Sequence, residues 1–274
     1  MTRRTKHDWT NAPRSAPVDR GRRRRRPLLP TIALSAMAVG VAGLMALLPT
    51  VADACTDVPE AVTVQPERVR AAIAPGSDVL IVGDSYTRGS GSYDGLHGWA
   101  QDITSGLRWD ATIDGVGGSG YVSGAAARAS SFTFGARLHG HRFLDPDLVL
   151  VQGSQNDWVQ GATQDVLQRT VERTLREARQ QWPDAVVVAI GPSAPRPRAE
   201  ATTDIAAAVA AGARSAGVPY VDPLAGQWFT DANSPSFATP DGQHLNDAGY
   251  AYLADRITGA LRALATPTPD EQCH

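Results

Sequence analysis

The sequence contains few cysteines, no internal repeat and no surplus of basic residues outside its first segment. Residues 1–26 hold ten Lys or Arg and two acidic residues, whereas the rest of the chain holds 16 basic and 26 acidic residues. Because nucleic-acid binding requires a basic face, the acidic main part argues against a nucleic-acid partner. With 274 residues and 42% hydrophobic residues, the chain is long enough for one α/β domain with appendages.

The basic residues 1–26 are followed directly by an apolar segment, residues 27–54. A basic region before an apolar run is typical of an export signal, and the arginines are expected to stay in the cytoplasm. Ala52-Asp53-Ala54 has the small-x-small pattern of a cleavage site. The run is also long enough to span a bilayer. A cleaved signal peptide and a retained membrane anchor therefore both remain open, and either one predicts a secreted or extracytoplasmic protein that contacts membrane only through this segment.

The two cysteines, Cys55 and Cys273, lie at opposite ends of the part expected to be exported. An even number of cysteines in an oxidising compartment favours a disulfide, and we expect these two to pair. The alternative is lipidation of Cys55 after cleavage at Ala54.

Apolar runs alternate with helical periodicities from residue 77 to residue 265. Strands are predicted at 79–82, 111–116, 147–153, 185–190 and 218–221, and helices at 99–107, 159–182, 200–216 and 248–264. Such alternation predicts an α/β domain whose parallel sheet is covered by helices on both faces. Residues 55–76 are expected to be a lead-in segment and residues 266–274 a polar tail.

Polar or glycine-rich segments follow the first three predicted strands, and a fourth precedes the last helix. They are Gly83-Asp84-Ser85, the loop 115–120, the loop 153–157, and Asp241-Gly-Gln-His244. Ligands of open α/β sheets bind at the carboxyl ends of the strands, so these segments are expected to meet at one edge.

Ser85, His244 and Asp241 could together form a nucleophilic site. A serine hydroxyl needs an adjacent base, His is the usual one, and a carboxylate fixes its tautomer. Backbone N–H groups of Ser85 and the glycine loop, with the Asn156 amide, could stabilise an oxyanion. Taken alone, Ser85 in a loop between a strand and a helix is more typical of a helix cap.

These four segments resemble the SGNH hydrolases, also called the GDSL esterase/lipase family, over roughly residues 78–264. The resemblance implies a three-layer αβα sandwich with a five-stranded parallel, flavodoxin-like sheet. It also implies Ser85 as nucleophile, His244 as base, Asp241 as the acid that orients His244, and no metal or cofactor.

The same resemblance implies an oxyanion hole formed by Ser85, Gly118 and Asn156. Gly117 competes with Gly118 for this position. The chain departs from the family pattern in having one extra residue between Gly153 and Asn156, which leaves the shape of this loop open. Trp158 and Trp228 are predicted substrate contacts, because long loops at this edge often carry them.

The glycines of the loop 115–120 also fit a dinucleotide-binding fingerprint. That fingerprint needs an acidic residue about twenty positions later at the end of a strand, and the sequence has none there.

The sequence therefore predicts an exported, monomeric serine esterase that acts on acyl groups of glycans or on short-chain lipids. The absence of an obvious apolar lid favours short acyl groups. An acyltransferase with the same triad and a non-catalytic surface-binding protein are the alternatives.

Overall fold

The computed structural model describes residues 62, 64–127, 129–159 and 161–267, and its centre is a five-stranded parallel sheet. The strand order is β2-β1-β3-β4-β5, with all neighbours parallel. The strands are β1 (Asp78–Gly83), β2 (Asp110–Gly115), β3 (Leu148–Gln152), β4 (Val186–Ile190) and β5 (Tyr220–Val221). The predicted α/β architecture with a five-stranded parallel sheet is confirmed.

The central strands are apolar on both faces because helices cover both faces. All residues of β3 and β4 are buried. Ile81, Leu150 and Val188 point into one cluster of buried side chains, the first core cluster. Their neighbours in sequence point into the second core cluster, on the other side of the sheet. The alternation of side chains along a strand thus builds two cores on opposite sides of one sheet.

The helices connect the strands and pack in two layers. They are α1 (Pro66–Ala72), α2 (Ser85–Arg88), α3 (Trp99–Leu107), α4 (Phe134–Gly140), α5 (Gln155–Val159), α6 (Gln164–Gln181), α7 (Thr203–Ser215), α8 (Ser234–Phe237) and α9 (Asp247–Leu264). Side chains of α1, α3 and α9 belong to the first core cluster, and those of α4, α6 and α7 to the second.

The predicted helix 159–182 begins later than expected: α6 starts at Gln164, and Val159 is the last residue of the preceding short helix α5. Gly161 between them has a φ of 71°, and the Thr163 side chain accepts a hydrogen bond from the N–H of Val166, which starts α6 anew. Val171, Leu175 and Ala178 of the predicted apolar stripe are buried, whereas Val166 is 42% exposed and Leu167 is buried instead.

The predicted lead-in segment contains a helix, α1. Pro66 lies in its first turn, where the missing N–H costs nothing, and Val69 and Ala72 are buried in the first core cluster. The segment therefore contributes to the core. The predicted export segment, both cysteines and most of the C-terminal tail lie outside the described residues, within which no helix is long and apolar enough to cross a bilayer.

Candidate active site

Three side chains from distant parts of the chain form a hydrogen-bonded row at the carboxyl edge of the sheet. His244 Nε2 lies 3.1 Å from Ser85 Oγ, and His244 Nδ1 lies 2.9 Å from Asp241 Oδ2. The structure therefore brings Ser85, His244 and Asp241 together, in the order that the predicted roles of nucleophile, base and orienting acid require.

Asp241 is held in place by the turn that it begins. Its Oδ1 accepts hydrogen bonds from Thr239 Oγ1 at 2.5 Å and from the N–H groups of Gln243 and His244 at 2.7 and 3.1 Å. Burial alone would raise the pKa of Asp241, but hydrogen bonds from the Thr239 and His244 side chains and the turn's backbone outweigh it and hold the pKa well below its usual range. Asp241 is thus a fixed anion beside His244.

Ser85 starts the short helix α2 directly after β1. Asp84 caps this helix through a 2.9 Å hydrogen bond from the N–H of Tyr86 to its Oδ1. The turn requires glycine at position 83, because a Cβ there would lie 1.9 Å from Thr87 Oγ1. Among the described residues, the N–H of Ser85 has no hydrogen-bond partner, so it can donate into the cleft.

The glycine loop after β2 is shaped by Asp157, which is fully buried. Its carboxylate accepts hydrogen bonds from the N–H groups of Tyr121, Val122 and Ser123 at 3.0, 2.8 and 2.7 Å, and from Ser154 Oγ at 2.8 Å. Burial raises the pKa of Asp157, and these four hydrogen bonds oppose the rise. One carboxylate therefore joins the loop after β2 to the loop after β3.

Gly118 and Gly117 both border the cleft beside Ser85. Gly118 has a φ of 78°, a left-handed conformation that favours glycine, and its carbonyl accepts a 2.6 Å hydrogen bond from Ser123 Oγ. Neither N–H has a partner among the described residues. The two alignments proposed for the oxyanion-hole glycine therefore both remain open.

The extra residue after Gly153 does not remove Asn156 from the cleft. Asn156 Nδ2 donates to Ser119 O at 2.9 Å and lies 3.5 Å from Asp84 Oδ2, and the residue borders the cleft together with Ser85. Ser154, in the same lengthened loop, has a φ of 94°. The amide is thus held between the nucleophile loop and the glycine loop.

Arg137, on α4, ties the ends of β1 and β2 to the glycine loop. Its guanidinium donates to Gly83 O at 2.7 Å, to Ser119 Oγ at 2.9 Å, and to Asp114 Oδ1 and O at 2.7 Å. The side chain is 7% exposed, so these bonds are shielded from water. Arg137 positions the loops and does not border the cleft.

Asp84 is buried beneath this arrangement. Burial raises its pKa to about 7, although the N–H of Tyr86 and the positive charge of Arg137 act in the opposite direction. This carboxyl, with its raised pKa, lies 3.5 Å from the Asn156 amide nitrogen.

The triad opens into a cleft of about 280 Å³. Its lining is polar or small, and is formed by Ser85, Tyr86, Ser90, Gly117, Gly118, Gln155, Asn156, Arg198, Gln243 and His244. A larger cleft of about 370 Å³ at the amino edge of the sheet contains none of the triad residues. In the described part of the chain, no group of three or more metal-binding side chains is arranged to hold an ion.

The two tryptophans predicted as substrate contacts lie away from this lining. Trp228 is 4% exposed and packs in the first core cluster beneath Arg256, so its predicted place in the wall of the acyl pocket is wrong. Trp158 is 54% exposed on α5 and does not border the cleft. Aromatic side chains in a long loop can be recruited by the core, and here the core buries Trp228.

Sequence reasoning missed Gln155, Arg198 and Gln243, which border the cleft. Gln155 and Gln243 lie inside the recognised segments, so their positions were available as a signal. Arg198 follows β4 at the carboxyl edge, where loops of this fold bind ligands, but nothing in its local sequence marks it.

Comparisons with known proteins agree with this geometry. Residues 81–252 match the model of the GDSL-like Lipase/Acylhydrolase family. A GDSL lipase of Mycobacterium tuberculosis is 34% identical over 200 residues, which cover 65% of this chain and 79% of that protein.

Two solved structures share the fold. A carbohydrate acetylesterase family member from Sinorhizobium meliloti has a TM-score of 0.51 at 17% identity, covering 69% of this chain and 99% of that chain. A family two carbohydrate esterase from Clostridium thermocellum, solved with cellohexaose, has a TM-score of 0.53 at 15% identity, covering 69% and 65%. The chain belongs to the GDSL-like lipase/acylhydrolase family and is an ester-hydrolysing serine hydrolase.

Proposed function

We propose that this protein is an exported esterase that hydrolyses short acyl esters through an acyl-enzyme on Ser85. The observation that supports it best is the row of contacts from Ser85 Oγ to His244 Nε2 at 3.1 Å and from His244 Nδ1 to Asp241 Oδ2 at 2.9 Å. Export is inferred from the basic residues 1–26 and the apolar segment that follows them.

In the first half-reaction, Ser85 Oγ attacks the ester carbonyl carbon while His244 Nε2 takes the hydroxyl proton. The negative charge on the carbonyl oxygen is stabilised by the N–H of Ser85, a glycine N–H of the loop and the Asn156 amide. The C–O bond to the alcohol breaks, and His244 returns its proton to the departing oxygen.

In the second half-reaction, water replaces the alcohol. His244 removes a proton from the water, the resulting hydroxide attacks the acyl carbon, and Ser85 Oγ leaves with the proton from His244. Asp241 stays ionised throughout and stabilises the imidazolium that forms twice in each cycle.

The cleft favours short acyl groups and polar alcohols. Its volume of about 280 Å³ is small, and no aliphatic side chain borders it among the described residues. A long acyl chain gains its binding energy from apolar contact, which this lining does not offer. We infer that the substrates are acyl groups on glycans or similarly short esters.

Fluorophosphonate labelling of residues 55–274 tests the proposed nucleophile. Peptide mapping should place the adduct on Ser85, and His244→Ala should abolish labelling while far-ultraviolet circular dichroism stays unchanged. A folded protein without an adduct would contradict the proposed mechanism. A chain-length series of 4-nitrophenyl esters tests the acyl preference, which would be refuted if activity peaked at long chains.

A further inference from the structure

One wall of the catalytic cleft carries a positively charged side chain that forms no salt bridge with a carboxylate in the described part of the chain. Arg198 is half-buried, borders the cleft, and donates from Nη1 to Gln243 Oε1 at 3.2 Å. By contrast Arg196, two residues earlier, forms ion pairs with Glu200 and Asp231. A guanidinium has five N–H donors, so most of those on Arg198 remain available to a group inside the cleft.

A second polar group borders the same cleft without a partner. Gln155 is 1% exposed, and neither Nε2 nor Oε1 of its side chain has a hydrogen-bond partner among the described residues. Buried amides are normally hydrogen-bonded, because an unpaired one destabilises the folded protein. Gln155 lies in the segment between Gly153 and Asn156, which is one residue longer than the family pattern.

The permanent charge of the cleft lining is positive. Among the residues that border the cleft, Arg198 is the one with a permanent charge, and Asp241 does not border it. A cation with free donors, placed near a buried amide and a wall without aliphatic side chains, fits an anionic group better than a neutral apolar one.

We propose that Arg198 and Gln155 select ester substrates that carry a carboxylate. This inference rests on the proposed esterase function and specifies its substrate class. A carboxylate has two oxygens with about four acceptor positions, enough for the planar fork of Arg198 and the N–H of Gln155 together. The carboxylate could belong to the acyl part, as in a dicarboxylic monoester, or to the alcohol part, as in an acetylated acidic sugar.

Two matched pairs of esters distinguish a carboxylate on the acyl part from a carboxylate on the alcohol part. 4-Nitrophenyl hemisuccinate and 4-nitrophenyl butyrate have acyl groups with four carbons and differ in the carboxylate. 4-Acetoxybenzoate and 4-acetoxybenzamide share an acetyl group and differ in the charge on the alcohol part. For each pair, the ratio of kcat/KM between the charged and the neutral member is measured in wild type and in variants, so that intrinsic reactivity cancels.

We expect Arg198→Gln to lower this ratio about 10- to 100-fold for one pair, the range typical of a hydrogen-bonded charge pair. Arg198→Lys should restore part of the ratio, because it keeps the charge and loses the fork. Gln155→Leu should also lower it, and Gln155→Glu should lower it further by repulsion. Arg173→Gln, which removes an exposed charge on α6, is the control for net charge.

Equal ratios in wild type and Arg198→Gln, with neutral esters still hydrolysed in a Ser85-dependent manner, would overturn the carboxylate selectivity and leave the esterase function intact. If no ester is hydrolysed and no fluorophosphonate adduct forms, the proposed esterase function fails. Calorimetry with succinate then tests separately whether the cleft binds a carboxylate. Binding that is lost in Arg198→Gln supports the site, and absence of binding overturns it.

Discussion

Replacing Asn156 by alanine tests whether the lengthened loop still delivers an oxyanion donor. The structure holds Asn156 Nδ2 2.9 Å from Ser119 O, so the amide is fixed before substrate arrives. Removing one donor of this kind lowers kcat by about 10²–10³, equivalent to about 2.7–4 kcal/mol of transition-state stabilisation. The loss should appear in kcat more than in KM, because the charge on the carbonyl oxygen develops only in the transition state.

The assay is initial-rate hydrolysis of 4-nitrophenyl acetate by purified residues 55–274, with urea denaturation to confirm that the variant is folded. Gln164→Ala is the matched control, because it removes an exposed amide at the start of α6. If Asn156→Ala keeps kcat within about threefold of wild type, the amide does not contribute the expected donor. The oxyanion would then depend on backbone N–H groups alone.

Three carboxylates give further predictions. Asp241→Asn should lower kcat about 10⁴-fold in the same assay, because the amide no longer fixes the tautomer of His244; a loss below tenfold would contradict this role. Asp157→Asn should destabilise the protein by about 2–4 kcal/mol in urea denaturation, since an NH₂ group then faces N–H donors; a change below about 1 kcal/mol would refute it. Burial raises the pKa of Asp84 from its ordinary value of 3.8 to about 7, so the folded state holds a proton between these pH values and its stability should fall as pH rises from 4 to 7. Asp84→Asn should remove that part of the slope in urea midpoints measured between pH 4 and 8, and an unchanged slope would exclude Asp84 as its source.

The sheet could be predicted from the sequence because its strands are buried on both faces. Continuous apolar runs such as 148–151 have no amphipathic alternation, and their burial in the structure explains why. The helix predicted at 159–182 is confirmed over Gln164–Gln181, but its predicted start is wrong, because apolar spacing continues across the break before it. Gly161 and the Thr163 cap end one helix and begin another, and this local chemistry outweighs the periodicity.

The contacts among Ser85, His244 and Asp241 could also be predicted, because these residues lie in short segments whose chemistry needs those residue types at that spacing. The residues that form the wall of the cleft could not be predicted from the sequence. Whether Trp228 or Arg198 borders the cleft depends on how the long connections after β4 and β5 pack, and the core buries the former while the latter borders the cleft. Burial of a loop side chain is a tertiary outcome that a local pattern does not encode.

Because the residues of the proposed triad are far apart in the sequence, the recovery of ester hydrolysis during refolding reports when distant parts of the chain have come together. Asp241 and His244 are three residues apart and can meet within one turn, whereas Ser85 and His244 are 159 residues apart. The hydroxyl of Tyr250 on α9 reaches back to Ser90 O at 2.6 Å and joins the two ends of the domain. During refolding, hydrolysis can therefore return only when the final segment docks onto the first strand and its loop, later than local helix formation. A stopped-flow comparison of ester turnover with circular dichroism would time that closing step directly.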